Sequence, residues 1–489
     1  MKAHTELVQQ LRTQLKKSAR QNLPRYKQLY EVLRQQILDG LLLSGTCLPS
    51  SRILAEQLGI ARNTALAALE QLCAEGYAAA RPASGIYILP TAPMQWATAN
   101  IAANSASNLG LSARGERISQ QSQSSLLRGA FTIGLPDVKQ FPFELWQRYV
   151  TRHARNPKLD WLGYPQQGGH IDLRTTIVDY LRMARGIRCD AGQILITHGT
   201  QHSLQLVADL LANPGDSAWV EDPGYRGVRS AFDAAGLKLI NQPVDAEGLA
   251  PTNKAWQKPP RLIYTTPSHQ SPTGVVMSAA RRRNLLAAAA QNNTWVIEDD
   301  YDSEFRYAGT PLAALHALAP NQVIYMGSFS KVLFPALRIG YMVLPQNLVD
   351  AFRATQARHH REPSYIVQKA LADFIRDGHA NAFIRKMRRE YQARRDALLE
   401  LMHTKLGNLV NFSSIDTGLH FVMHLPPHLN DQKISAQAHQ RGIVARALSS
   451  SYAGVAPANT SALLLGFGAA DLDDIARAGK LLIKIINAT

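Results

Sequence analysis

The residues best placed to do chemistry in this 489-residue chain gather around Lys331, in the string Gly327-Ser328-Phe329-Ser330-Lys331. Arg338 follows seven residues later, and Glu298-Asp299-Asp300-Tyr301 stand upstream. A lysine amine can form a Schiff base with an aldehyde cofactor. An upstream acid can pair with a protonated pyridine nitrogen, and a following arginine can pair with a phosphate. Together these are the groups that pyridoxal 5′-phosphate (PLP) requires of a protein.

The elements that must position these groups follow from the pattern. From residue 130 onward, short β-rich segments at 194–197, 217–220, 261–265, 294–298 and 323–327 alternate with helical stretches at 203–211, 226–235 and 279–291. That alternation predicts an α/β domain with a mostly parallel sheet. A long charged amphipathic helix is expected over 367–404, and a smaller α+β region over about 411–489. No internal repeat is apparent.

The first ninety residues have a different grammar. Residues 1–20 read as a short polar arm in which Leu7, Leu11 and Leu15 recur at helical spacing. Residues 24–90 read as helix, helix, helix, hairpin. Pro24 opens the first helix, with Tyr26, Leu29, Tyr30, Leu33 and Ile37 on one face. Ser50 or Ser51 caps a short second helix that stops at Gly59, and a third runs over 62–74. The hairpin strands fall at 77–80 and 85–89. Two short helices joined at Gly59, followed by a hairpin, fit a helix-turn-helix with a wing. The third helix then presents Arg62, Asn63 and Thr64 at its start to base edges, and Arg52, at the start of the second helix, can clamp a phosphate.

Charge supports a polyanionic partner. The chain carries a net +16 and a pI near 9.8. Residues 1–90 hold +5, residues 91–129 hold +2, and the remainder +9, so the larger domain is basic too. Residues 91–129 are rich in Ala, Ser, Asn and Gln; they read as a flexible linker, with an ordered path over the larger domain as the alternative. Cys47, Cys73 and Cys189 are scattered, with neither a disulfide framework nor a metal-ligand spacing. The first residues lack a signal-peptide core, and no apolar run reaches the ~18 residues of a membrane span. A soluble cytoplasmic protein is expected.

The string Leu48-Pro49-Ser50-Ser51-Arg52, Leu54-Ala55, Leu58-Gly59, Arg62-Asn63-Thr64, Glu75-Gly76-Tyr77 and Ser84-Gly85 resembles the GntR family of winged helix-turn-helix regulators. The resemblance implies that Arg52, Arg62, Asn63, Thr64 and Gly85 contact DNA. Ile60-Ala61 stands where such modules often carry Val-Ser.

The remainder resembles fold-type I aminotransferases, and the two parts together resemble the MocR/GabR family. Beyond the lysine string, the matching motifs are Tyr164-Pro165-Gln166-Gln167-Gly168, Thr197-His198-Gly199-Thr200-Gln201, Glu221-Asp222-Pro223-Gly224-Tyr225 and the stretch from Thr266 to Gly274. The Arg- and Tyr-rich stretch 385–395 fits as well. The resemblance implies an internal aldimine on Lys331, with Asp299 on the pyridine nitrogen and Asp300 as the competing structural acid. Tyr301 would meet the phenolic oxygen, and Tyr225 would stack on the ring. Gly199, Thr200, Gln201, Ser328, Ser330 and Arg338 would form the phosphate cup. Tyr164 would reach the partner subunit's cofactor across a head-to-tail homodimer.

Two departures stand out. Ser271 takes the place of the Asn common in aminotransferases. The late strand 462–468 lacks the Arg that grips a substrate carboxylate; Arg446 is the nearest substitute.

The expected architecture is therefore a winged helix-turn-helix over 1–90, a linker over 91–129 and an aminotransferase-like PLP domain over 130–489. The expected function is PLP-dependent transcriptional regulation. Its partners would be operator DNA and a small effector, namely an amino acid, an amine or PLP itself, controlling vitamin B6 or amino-acid metabolism genes. A working aminotransferase with a regulatory DNA-binding domain is the alternative. No metal is expected.

Overall fold

The computed structural model describes residues 2–17, 23–90, 110–121, 129–165, 168–310 and 312–489. They form two compact units, residues 1–110 and 111–489.

In the first unit, α1 (Lys2–Lys17) is a helix whose Leu7, Val8 and Leu11 are buried, Leu11 completely. The expected polar arm is thus part of the core. Its Gln14 accepts a hydrogen bond from the buried Gln36 side chain of α2 (Arg25–Leu38) at 3.0 Å. α2 begins after Pro24 and buries Leu29, Tyr30, Leu33 and Ile37, while Tyr26 is only half-buried. A two-residue strand, β1 (Cys47–Leu48), precedes α3 (Ser51–Leu58), which is capped by Ser50 Oγ accepting from the Ile53 N–H at 3.4 Å. α4 (Arg62–Ala74) spans the expected residues and buries Ala65, Ala68, Leu69 and Leu72. Its N-cap is Ala61, which has no side-chain oxygen to accept a first-turn N–H. β2 (Ala78–Arg81) and β3 (Gly85–Ile88) form the wing. The antiparallel sheet runs β1-β3-β2, with Cys47 opposite Tyr87 and Ala78 opposite Ile88.

The second unit begins with α5 (Ala113–Gln121), inside the stretch expected to be a linker. This part is ordered: Arg117 pairs with Asp233 at 3.8 Å. The rest of the expected linker, 91–109 and 122–128, lies outside the described residues. After α6 (Phe143–Arg155) and α7 (Ile171–Arg185), strand–helix alternation sets in with β4 (Ile194–Thr197), α8 (Thr200–Leu211), β5 (Ser217–Asp222) and α9 (Arg226–Ala234). β6 (Lys238–Asp245), β7 (Gly248–Leu249), β8 (Leu262–Thr265), α10 (Ala279–Gln291), β9 (Trp295–Asp300), β10 (Val323–Ser328) and β11 (Gly340–Val343) complete it.

The sheet order is β4-β11-β10-β9-β8-β5-β6-β7. The central neighbours β10, β9, β8, β5 and β6 pair in parallel; β11 and β7 run antiparallel. Both faces of its centre are covered, so β4, β8, β10 and β11 are buried almost throughout rather than alternating with exposed polar residues. β4 sends Ile194 and Ile196 to one apolar layer and Leu195 to the other, while β10 sends Tyr325 to the first and Ile324 and Met326 to the second.

The single helix expected over 367–404 is two. After α11 (Val349–His359), α12 (Tyr365–Arg376) ends at Asp377, Gly378 turns at φ 84°, and α13 (His379–Leu406) begins. The charge pattern runs unbroken across this joint, but glycine readily takes the left-handed backbone that breaks the helix. The chain ends in an antiparallel sheet ordered β12-β13-β15-β14 and two helices. Its parts are β12 (Asn411–Ser413), β13 (His420–His424), α14 (Asp431–Gln440), β14 (Arg446–Ala447), β15 (Ala462–Gly466) and α15 (Leu472–Asn487). Residues 130 and 131 bridge to Ile443 and Gly466 of this region before the chain enters the larger sheet.

Candidate cofactor site and DNA-binding face

The parallel strands end around a cavity of about 210 Å³ lined by residues of both sheets. Lys331, three residues past β10, reaches into it and donates to the Gly134 carbonyl at 2.8 Å. Burial pushes its amine below the ordinary lysine value, with Asp302 and Asp299 pulling the other way. A desolvated amine spends more time neutral, the form that attacks an aldehyde.

Asp299, near the end of β9, faces the same cavity. Its Oδ2 accepts from the Tyr264 hydroxyl at 2.7 Å, and its Oδ1 is buried without a partner. Burial pushes this carboxyl up to about 7; the Tyr264 bond works against that shift, and the charges of Asp300 and Glu221 add to it. An orphaned buried carboxylate oxygen is what a protonated pyridine nitrogen would satisfy, so the residues present fit PLP. Asp300 points the other way, accepting from Tyr325 at 2.6 Å and pairing with Arg185.

Five more expected residues line the cavity: Thr200, Tyr225, Ser271, Tyr301 and Ser328. The Tyr301 hydroxyl lies 3.2 Å from His269 Nδ1, which also meets Asp302 at 2.9 Å. Tyr225 accepts from Gln201 Nε2 at 3.1 Å. Gly199 forms the N-cap of α8 at φ 100°, and Gly340 packs so close that a Cβ there would lie 2.7 Å from the Gly199 Cα. This turn delivers the first N–H groups of α8, an anion-binding arrangement.

Gly199, Gln201, Ser330, Arg338 and Tyr164 do not line the cavity itself. Ser330 N–H donates to Ser328 Oγ at 3.2 Å. Arg338 is exposed, with a left-handed backbone, and its charge bears on Tyr225 and His198. Tyr164 is 79% exposed, its ring beneath the Arg361 guanidinium at 4.7 Å. Gln166 and Gln167 of its motif lie outside the described residues. Sequence reasoning missed Ile133, Gly134, Tyr264 and His420, all of which line the cavity. They sit on segments remote from the lysine string, and only strand pairing brings them in. Arg446 lines it as well.

In the first unit, Arg52 is exposed in the first turn of α3, and Arg62 and Asn63 are exposed at the start of α4, with Thr64 half-buried behind them. Gly85 opens β3 at the wing tip, where Ser84 Oγ and the Tyr87 hydroxyl meet at 2.7 Å. No helix among the described residues is long and apolar enough to cross a membrane.

A wing, two exposed helix starts and a lysine-bearing cavity at the strand ends define a DNA-binding regulator with an aminotransferase fold whose cofactor is PLP. The model of the bacterial regulatory proteins of the gntR family matches residues 25–88, and that of aminotransferase class I and II matches residues 137–462. The chain belongs to the MocR-type regulators, which join these two domains. It is 37% identical over 425 residues to the probable rhizopine catabolism regulatory protein MocR of Rhizobium meliloti, covering 86% of each chain. It is 32% identical over 452 residues to the HTH-type pyridoxine biosynthesis transcriptional regulator PdxR of Corynebacterium glutamicum, covering 92% of this chain and 93% of that one. Among solved structures, it resembles LysN, the α-aminoadipate aminotransferase of Thermus thermophilus, complexed with N-(5′-phosphopyridoxyl)-L-leucine. That likeness has a TM-score of 0.67 and 25% identity over 76% of this chain and 97% of that one.

Proposed function

We propose that this protein is a transcriptional regulator that carries PLP covalently on Lys331 and answers a small effector, an amino acid, an amine or PLP itself, by changing how its winged helices engage operator DNA. The observation that carries the reading is the pairing, in one cavity, of the desolvated Lys331 amine with the unpartnered Oδ1 of Asp299.

These residues would hold the cofactor: Asp299 would pair with the pyridine nitrogen, and Tyr301 and Ser271 would meet the phenolic oxygen. Tyr225 would cover the ring. Thr200 and the N–H groups that open α8 would take the phosphate, helped by Ser328, Ser330 and Arg338. When bound, PLP supplies an aldehyde and an electron sink. The protein's own part is to keep the Lys331 nitrogen dry and the Asp299 carboxyl fixed by Tyr264.

The family supports a head-to-tail homodimer, with Tyr164, exposed in the single chain, reaching the partner's site. Two winged units would then read two half-sites. A DNA reader works where DNA is, which supports a cytoplasmic location. The two named relatives are regulators of different pathways, rhizopine catabolism and pyridoxine biosynthesis. The effector is accordingly an amino acid, an amine or PLP itself, and the regulated genes belong to amino-acid or vitamin B6 metabolism.

The test is a visible-absorbance titration of the PLP-free protein with PLP, beside Lys331→Ala. A band that needs Lys331 is expected. Its absence from the wild-type protein would refute the reading.

A further inference from the structure

A second cavity, of about 430 Å³, lies between the end of α7, the segment that follows β9 and the start of α13. It shares no lining residue with the cofactor cavity. Its hydrogen-bond donors come from two directions. Asn381 and Arg385 stand one turn apart on α13 and so lie on one helix face. Ser303 and Arg306 join them from the segment after β9. Backbone contacts fix that segment: Arg306 bridges to Thr417, and the Tyr307 N–H donates to the Asp416 carbonyl at 2.8 Å.

These donors are almost unengaged. Among the described residues, the side chains of Ser303, Asn381 and Arg385 make no hydrogen bond and no ion pair. Half-buried Arg306 makes only a 3.4 Å bond to the Ala308 carbonyl; Asp416 and Asp300 act on it from beyond pairing distance. The other two arginines of the wall are occupied. Arg185 pairs with Asp300, and Arg388 donates through Nε and Nη2 to the Glu304 carbonyl at 3.1 and 2.7 Å. The one acid that lines this cavity cancels little of the charge. Glu304 accepts from the Tyr180 hydroxyl, and burial together with the charge of Asp300 pushes its carboxyl up to about 7. Two unpaired guanidiniums in one cleft repel each other and attract an anion. The rest of the wall is apolar, formed by Tyr180, Ile384 and the exposed Met183.

We propose that this cavity is a second ligand site, and that it takes a phosphate monoester whose organic part lies along Tyr180, Met183 and Ile384. A doubly charged group with three free oxygens can meet Arg306 and Arg385 at once and still accept from Ser303 and Asn381. A carboxylate has two oxygens, and one guanidinium engages both. The volume is that of a small-molecule site, which favours a free phosphorylated compound over a polymer. The site fills separately from the cofactor cavity, and the inference does not depend on what that cavity holds.

The experiment is calorimetric titration of the full-length, PLP-loaded protein with phenyl phosphate, benzoate and phenol. Phenyl phosphate should bind about 10- to 100-fold more tightly than phenol, which lacks the charge, and more tightly than benzoate. Arg306→Gln and Arg385→Gln should each weaken phenyl phosphate about tenfold or more, and Arg385→Lys should retain part of the affinity. Arg389→Gln removes an exposed arginine of the same helix that does not line the cavity, and it should leave binding unchanged. The idea is overturned if phenyl phosphate binds no better than phenol or benzoate, or if Arg389→Gln costs as much as the two cavity variants. Displacement of bound phenyl phosphate by a random-sequence DNA duplex would give the cleft to the DNA backbone and overturn it too. The Lys331-dependent band is recorded for every variant and should not change. A missing band in the wild-type protein sinks the PLP reading alone, and the dependence on Arg306 and Arg385 still decides this one.

Discussion

Asp299 and Asp300 follow one another along β9 and serve opposite faces of the sheet: the first turns its free oxygen into the cavity, and the second closes a buried pair with Arg185. The two should therefore fail differently. Asp299→Asn should fold normally and bind PLP about 10- to 100-fold more weakly, since it loses a charge-assisted bond. Asp300→Asn strands the Arg185 guanidinium and should destabilise the second unit by about 3–5 kcal/mol. Melting curves and PLP titrations of both variants check this; equal effects would mean that the sidedness is wrong.

The PLP-free protein should show a pH signature of Asp299. An unfolded aspartate titrates near ~3.9, whereas the buried carboxyl is pushed up to about 7. Below ~3.9 both states are protonated, and the group contributes in full. As pH rises toward 7 the unfolded chain releases its proton first, so stability falls by about 1.4 kcal/mol per pH unit, levelling above the folded value. The difference in unfolding free energy between wild type and Asp299→Asn, measured from pH 4 to 8 without PLP, isolates this group. A flat difference would contradict it.

The helix that opens with Arg62 lacks a side-chain cap because Ala61 holds the N-cap position. Ala61→Ser should supply the missing acceptor and stabilise the first unit by about 0.5–2 kcal/mol. Hydrogen exchange of the α4 amides reads this directly: slower exchange is expected, and unchanged exchange would refute the cap.

Arg62 and Arg52 are both exposed at helix starts, yet they have different tasks. With DNA selected by the wild-type protein from a random pool, Arg62→Ala should cost about 1–3 kcal/mol and relax specificity at one position. Arg52→Ala should weaken all sequences alike and lower the salt dependence of binding. Fluorescence anisotropy at several salt concentrations separates the two; an exchange of these behaviours would mean that α3 and α4 are misassigned on DNA.

The lysine string, the acid pair and the helix-turn-helix were legible because local spacing encodes them. The extent of α4 and the ends of β4 and α10 followed from periodicity and from turn residues at their ends. What stayed hidden depends on partners distant in sequence. Tyr264 is an ordinary strand residue until β8 pairs with β9 and brings its hydroxyl to Asp299. His420 and Gly134 enter the cavity only because the small sheet and the segment before α6 fold onto the strand ends. The joint at Gly378 was masked by a charged amphipathic pattern that resumes on both sides of a single glycine, and α5 by a polar composition that reads as linker.

The bond between the Lys331 amine and the Gly134 carbonyl has a mechanical meaning. Gly134 belongs to the short run that emerges after residue 128 and is stitched to the small sheet through residues 130 and 131. The nitrogen that holds this run is the one the cofactor would take up. A lysine engaged as an imine would keep at most one N–H in place of three, so its hold on the Gly134 carbonyl would depend on what the nitrogen carries. The amine is thus a latch on this run, and a change in its chemical state would bear on how the run is seated.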